Sequence, residues 1–182
     1  MKRILLACNA FKESCSSFEL NHALAEIIDG GLPGCKSTIF PVSDGGDGFL
    51  EVVAHHKSLK ISYLRGMDIS GHTRDIPYIY DSNKCTLYFE SAAIIGLALI
   101  PTGARHPANY DSAPLAEFIL LLLEFLDNKH FPVNTICLGI GGTATIDAGL
   151  GFYNCFKLNQ DKLFKLNNLH SFSSSENANS LI

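Results

Sequence analysis

Gly139–Gly151, GIGGTATIDAGLG, is the stretch whose reading decides the fold. Thr135–Leu138 before it is a short β-prone apolar run, and Phe152–Phe156 after it continues a helix. The order strand, glycine-rich turn, helix is the unit of an α/β protein. Gly139, Gly141 and Gly142 permit backbone angles that other residues avoid and leave room for a ligand against the main chain. A helix starting there presents free N–H groups and the positive end of its dipole, which suits an anion, above all a phosphate. Thr143 and Thr145 add hydroxyls and Asp147 a carboxylate. The plain alternative is a tight connection that binds nothing.

Working outward, the same unit occurs twice more. Arg3–Cys8 reads as an apolar first strand, suited to the centre of a parallel sheet. A polar loop follows from Asn9, and Ser16-x-x-Glu19 is a capping box opening a helix that Gly30, Gly31 and Pro33 end. Ser37–Val42 is the second strand, Ser43–Gly48 (SDGGDG) its glycine-rich loop, and Phe49–His56 the next helix. In one parallel sheet the three loops share the carboxyl-end rim. Asn9, Lys12, Asp44, Asp47, Thr143, Thr145 and Asp147 then gather there. Lys12 can neutralise phosphate charge, and the aspartates can hold magnesium or take a proton from a hydroxyl, which are the parts phosphoryl transfer requires. Singly, each also has a structural reading: Asp44 as a helix cap, Asp47 as a dipole partner, Lys12 as solvated surface. No GxxxxGK[ST] and no GxGxxG is present, so the common nucleotide fingerprints are absent.

The segment 59–99 changes character. Leu59–Leu64, Ile76–Asp81 and Cys85–Glu90 read as antiparallel strands separated by turn clusters, and Ala92–Leu99 as a short apolar helix. The expected architecture is therefore a Rossmann-like parallel sheet with helices on both faces, formed by 1–58 and 100–157. To it is added a β-rich insert, 59–99, belonging to a second lobe. Residues 158–182 are a weakly patterned tail, with serine- and asparagine-rich Ser171–Ser180 expected to be unstructured. Tyr63, Tyr78, Tyr80, Tyr88 and Phe89 crowd the insert, so one face of its sheet is expected to need a cover, and the isolated chain to dimerise or aggregate.

Composition narrows the function. The chain has 182 residues, 47% hydrophobic and 18% charged, with net charge −4. That is a globular chain able to bury roughly 70% of its unfolded surface. Without a basic cluster, nucleic-acid binding is not expected. Six cysteines include no C-x-x-C pair and no zinc-ligand spacing with histidine, which fits a reducing, cytoplasmic setting. The run after Lys2-Arg3 is too short for a secretory segment. Leu115–Leu126 is shorter than the ~20 residues a membrane span needs and carries Glu117 and Glu124. It reads as a buried helix entered at Pro114, with no membrane partner.

Four stretches in order, ACNAFKESCSS, PVSDGGDGFLE, FESAAIIGLALIP and GIGGTATIDAGLGF, resemble the bacterial-type glycerate kinases. That family's patterns are A-P-D-S-F-K-G-S-x-S-A, P-x-A-D-G-G-E-G-T, I-E-M-A-x-A-S-G-L-x-L-(V/I)-P and G-I-G-G-S-A-T-N-D-G-G-x-G-M. The likeness spans about residues 2–156. It implies a two-lobed α/β kinase that uses ATP and Mg2+ to phosphorylate a hydroxyl of D-glycerate, commonly to 2-phosphoglycerate. It places Lys12, Asp44 and Asp147 as catalytic residues. Asn9, Gly45, Gly46, Glu90, Gly141, Gly142 and Thr143 are its substrate or phosphate contacts, and Asp44 with Asp147 its metal ligands. Departures stand beside the match. Asn9 replaces aspartate, Glu13 glycine, Asp47 glutamate and Phe49 threonine, and Ile146 and Ala148 flank Asp147 in place of asparagine and glycine. HPANYDSAPLAEFI (His106–Ile119) lacks the threonines and glycines of the family's helix-opening loop, and Tyr110, Pro114 and Leu115 are not expected to replace their donors. The chain is also near half the family's usual length, implying a truncated product or the N-terminal part of a split enzyme whose C-terminal half is supplied elsewhere, and slow turnover by this chain alone; the uncovered sheet face makes a homodimer the other partner expected. A catalytically inactive relative that at most binds nucleotide or phosphate is the alternative. The GGDG of lipid and NAD kinases is a further likeness, but those enzymes lack the other sets in this order.

Overall fold

The computed structural model describes residues 1–11, 14–161 and 166. Lys12 and Glu13, and the tail after Asp161 apart from Leu166, lie outside the described residues, and with them the expectation for Ser171–Ser180. Strand β1 (Lys2–Leu6) leads into helix α1 (Ser17–Gly31), which starts with the capping box read from the sequence: Glu19 N–H donates to Ser16 Oγ, and Ser16 N–H to Glu19 Oε2. Strand β2 (Cys35–Ile39) and helix α2 (Phe49–Lys57) complete the N-terminal unit. Then come β3 (Ser62–Met67), β4 (Thr73–Asp81), β5 (Thr86–Glu90) and the short α3 (Ala92–Ile95). Three 3-10 turns lead to α4 (Ala113–Asp127), followed by β6 (Thr135–Gly139) and α5 (Leu150–Leu158).

The fold is α/β, with two sheets. β1 and β2 form a two-stranded parallel sheet; β3-β4-β5-β6 form a four-stranded mixed sheet, antiparallel up to β5 and parallel between β5 and β6. This corrects the expectation that β6 shares a parallel sheet with β1 and β2. β6 instead pairs with β5, from Thr86 opposite Thr135 to Glu90 opposite Gly139. The reason is the crossover through α4, which is the connection neighbouring parallel strands need. The four-stranded sheet thus joins strands of the 59–99 segment to β6.

Alternation along β4 and β5 divides the core in two. Ile76, Tyr78, Leu87 and Phe89 face a cluster with Leu115, Phe118, Ile119, Leu122 and Leu126 of α4. Ile79 and Tyr88 face Leu50 of α2. Helices therefore cover both faces of this sheet. In α4 only Glu117 and Leu121 are exposed, and Glu124, on the same face, is half-buried. Of the five aromatics expected to need an external cover, Tyr78, Tyr88 and Phe89 are buried and Tyr80 half-buried; Tyr63 alone is exposed, at 62%. The cover comes from α4 and α2 of the same chain.

The N-terminal pair differs. α1 packs on one face of β1 and β2, and the alternate residues Leu5, Lys36, Thr38 and Phe40 remain exposed, Leu5 at 64%. β1 is therefore not the doubly covered central strand that its apolar sequence suggests. No helix among the described residues is long and apolar enough to cross a membrane.

Candidate functional site

Although β1, β2 and β6 lie in two sheets, the loops that leave them converge. Gly141 N–H donates to Gly45 O at 2.8 Å, joining the β6 loop to the β2 loop. The contact needs glycine: a Cβ on Gly141 would lie 2.6 Å from Gly46 Cα and 2.8 Å from Gly46 N, both backbone atoms that cannot swing aside. Gly45, at φ +89, turns the chain where a side chain would be strained. Ser91, buried at the end of β5, holds the same β6 loop through its N–H to Gly139 O (2.8 Å) and its Oγ to Gly141 O (3.3 Å).

These contacts enclose one cavity of about 320 Å³. Asn9 and Phe11 border it from the β1 loop, Asp44 and Gly46 from the β2 loop, and Gly141 and Gly142 from the β6 loop. Ser16 and Ser17 of the α1 entry, with Asp47 before α2 and Glu51 in its first turn, close the remaining sides. Asp44 Oδ1 accepts Gly46 N–H at 3.0 Å, so this carboxylate also shapes its own loop. Every charged residue described in the lining is an acid: Asp44, Asp47 and Glu51. Lys12 follows Phe11 directly and lies outside the described residues.

The helix starts give a different result from the sequence reading. Each N-terminus near the site is occupied by the protein's own acceptors. At α1 these are Ser16 and Glu19. At α2, Leu50 N–H donates to Glu90 Oε2 at 3.2 Å. Burial pushes the Glu90 carboxyl up, helped by the nearby Asp47 and Glu51 charges and opposed by the Leu50 and Phe49 N–H groups. At α5, Asp147 Oδ2 accepts Ser112 Oγ–H (2.7 Å), Ser112 N–H (2.9 Å) and Gly151 N–H (2.9 Å), while Oδ1 accepts Gly149 N–H (3.3 Å). Ser112 Oγ in turn accepts Phe152 N–H at 2.9 Å. Burial alone would raise the Asp147 pKa; the four donors outweigh it and hold the carboxyl well below the usual carboxylate range.

Asn9, Asp44, Gly46, Gly141 and Gly142 thus come together on the cavity, with Gly45 behind the turn. Glu90 stands at the start of α2, and Thr143 pairs by backbone with Gly96. Asp147 ties the starts of α4 and α5 together. Residues that sequence reasoning did not single out complete the picture. Ser112 supplies donors in the very loop expected to lack them, while Leu115 goes to the core and Tyr110 Oη bonds Ala104 O. Ser17 and Asn21, buried on α1, hold the strand exits; the serine run before the helix was their only sequence signal.

Mg2+ takes one or two carboxylates and completes its shell with water and phosphate oxygens. Asp44 and Asp47 fit that donor set. Asp147, with three donors already on Oδ2, does not border the cavity. Among the described residues no group of three or more His, Cys, Asp or Glu is placed to hold a metal ion.

Comparison with known proteins places the chain among similar sequences and structures. The chain is 27% identical over 149 residues to a glycerate kinase of Neisseria meningitidis, and 30% over 151 residues to glycerate 2-kinase of Escherichia coli. Each match covers 82% of this chain and 38% of the relative. A crystal structure from Salmonella typhimurium LT2, assigned as glycerate kinase 2, superposes with a TM-score of 0.61 at 28% identity, over 86% of this chain and 41% of that one. The chain thus spans about two-fifths of the length of the relatives it matches. The model of the glycerate kinase family matches residues 4–165, and the chain belongs to that family.

Proposed function

We propose that this chain carries the N-terminal part of an ATP-dependent glycerate kinase, transferring the γ-phosphoryl group to a hydroxyl of D-glycerate to give 2-phosphoglycerate. The observation that supports it is the convergence of three strand-exit loops, two of them glycine-rich, on one carboxylate-bordered cavity. The glycerate oxygen attacks the γ-phosphorus, the bond to the bridging oxygen of ADP breaks, and the hydroxyl proton passes to a carboxylate. Asp44 and Asp47 divide the two carboxylate tasks, holding Mg2+ and accepting that proton. Mg2+ held by these carboxylates would supply positive charge against the acidic lining, and Lys12 would add its own toward phosphate. Asn9 orients substrate by its carboxamide. Gly46, Gly141 and Gly142 let phosphate oxygens approach the main chain. Asp147 positions the β6 loop. The remaining machinery comes from polypeptide equivalent to the rest of the relatives' length, and the reaction takes place in the cytoplasm.

Capping of all three helix starts favours a second reading, a relative that keeps the fold and binds nucleotide without turning it over. An assay coupling ADP release to NADH oxidation, with MgATP and D-glycerate and the chain joined to the remaining length of a matched relative, separates the two. Glycerate-dependent ADP release that Asp44→Asn lowers at least a hundredfold supports the kinase. MgATP binding without glycerate-dependent release supports the second reading.

A further inference from the structure

β1 and β2 stop pairing before they reach the cavity. The last backbone bond between them runs from Phe40 N–H to Leu6 O, yet the loops that matter begin at Asn9 and Ser43. Two side chains of α1 bridge that gap. Asn21, fully buried, treats Cys8 as a strand would: Cys8 N–H donates to its Oδ1 at 3.0 Å, and its Nδ2 donates to Cys8 O at 2.9 Å and to Ser17 O at 2.6 Å. Ser17, also buried, donates its hydroxyl to Cys8 O at 2.7 Å and accepts Val42 N–H at 3.3 Å. Cys8 immediately precedes Asn9, and Val42 precedes Ser43 and Asp44.

These are the only residues of α1 that are buried, and both are polar. A surface helix on a small sheet ordinarily buries aliphatic side chains there, and burying polar groups is costly unless every one is bonded. Here the bonds go to the two strand exits that wall the cavity. We infer that Ser17 and Asn21 are positioning residues that set the Asn9 loop against the Asp44 loop at the spacing the ligand needs. The inference rests on the reading of the cavity as a phosphoryl-transfer site, and its test separates the two.

Ser17→Ala removes one oxygen from the bridge; Asn21→Ala removes its other half and is the variant more prone to misfold. Amide hydrogen exchange is followed on the full chain at Gly46 and Gly141, whose N–H groups donate to Asp44 and Gly45 rather than to either side chain, with Phe40 and Leu122 as controls. Ser17→Ala is expected to speed exchange at Gly46 and Gly141 at least tenfold while the controls stay within twofold. Exchange unchanged at both glycines, or accelerated equally at Phe40, overturns the inference. In the coupled assay, Ser17→Ala is expected to raise KM for D-glycerate or ATP about tenfold with kcat within twofold. A residue of merely structural importance would reduce the active fraction, lowering kcat at constant KM, and that result also overturns it. If the unsubstituted chain, joined to the remaining length of a matched relative, releases no ADP, the kinase reading fails, and the exchange result alone decides the role of the bridge.

Discussion

At the scale of the residue, two carboxylates shape how the site responds to pH. Asp147 binds four donors and has a lowered pKa. Its stabilisation is complete above its ordinary value of 3.8 and is lost as pH falls through the lowered folded value. Asp147→Ala leaves the Ser112 hydroxyl and three N–H groups without their acceptor. The expected cost is about 3 kcal/mol, read as a lower denaturation midpoint at pH 7. Glu90 has the opposite sign. Its raised pKa means the folded chain holds the proton more tightly, so stability falls as pH rises from 4.5 through the raised folded value. Glu90→Gln still accepts Leu50 N–H but removes the charge, and is expected to flatten that fall in denaturation curves between pH 4 and 8. Ala148 holds φ +51, a left-handed angle, where the family pattern has glycine. Ala148→Gly is expected to stabilise the chain by up to ~1 kcal/mol, the steric relief being partly offset by chain entropy. None of these roles is legible in the sequence. Asp147 finds Ser112 35 residues away, and Glu90 finds Leu50 40 away.

At the scale of the element, the sequence is more informative. The capping box, the buried stripe of α4 and the glycine-rich turns follow from local spacing and appear where that spacing puts them. Strand partners do not. β5 and β6 are both short apolar runs, and nothing local tells Thr135–Gly139 to join Thr86–Glu90 rather than β1 or β2. The crossover helix decides it, and its reach is a property of the folded chain. Gly141→Ala tests the loop contact that results. Its Cβ would force the Gly45–Gly46 turn away, at an expected cost of 1–3 kcal/mol typical of overpacking, with loss of ligand binding. Titration with MgADP and a thermal melt check the two effects together.

At the scale of the whole molecule, stability is unevenly distributed. The four-stranded sheet lies between two apolar clusters, whereas α1 buries only Ser17 and Asn21 and leaves Ile27 66% exposed. β1, α1 and β2 are therefore expected to open at lower free energy than β4, β5 and α4, seen as earlier hydrogen exchange in the N-terminal unit under native conditions. That unit carries two of the three loops of the cavity, so ligand should protect it selectively. The most direct test of the account follows the backbone amides of the full chain during titration with MgATP. The account predicts shifts concentrated at Asn9, Gly45, Gly46, Gly141 and Gly142, from all three loops at one apparent affinity. Shifts confined to one loop, or located away from the cavity, would contradict it.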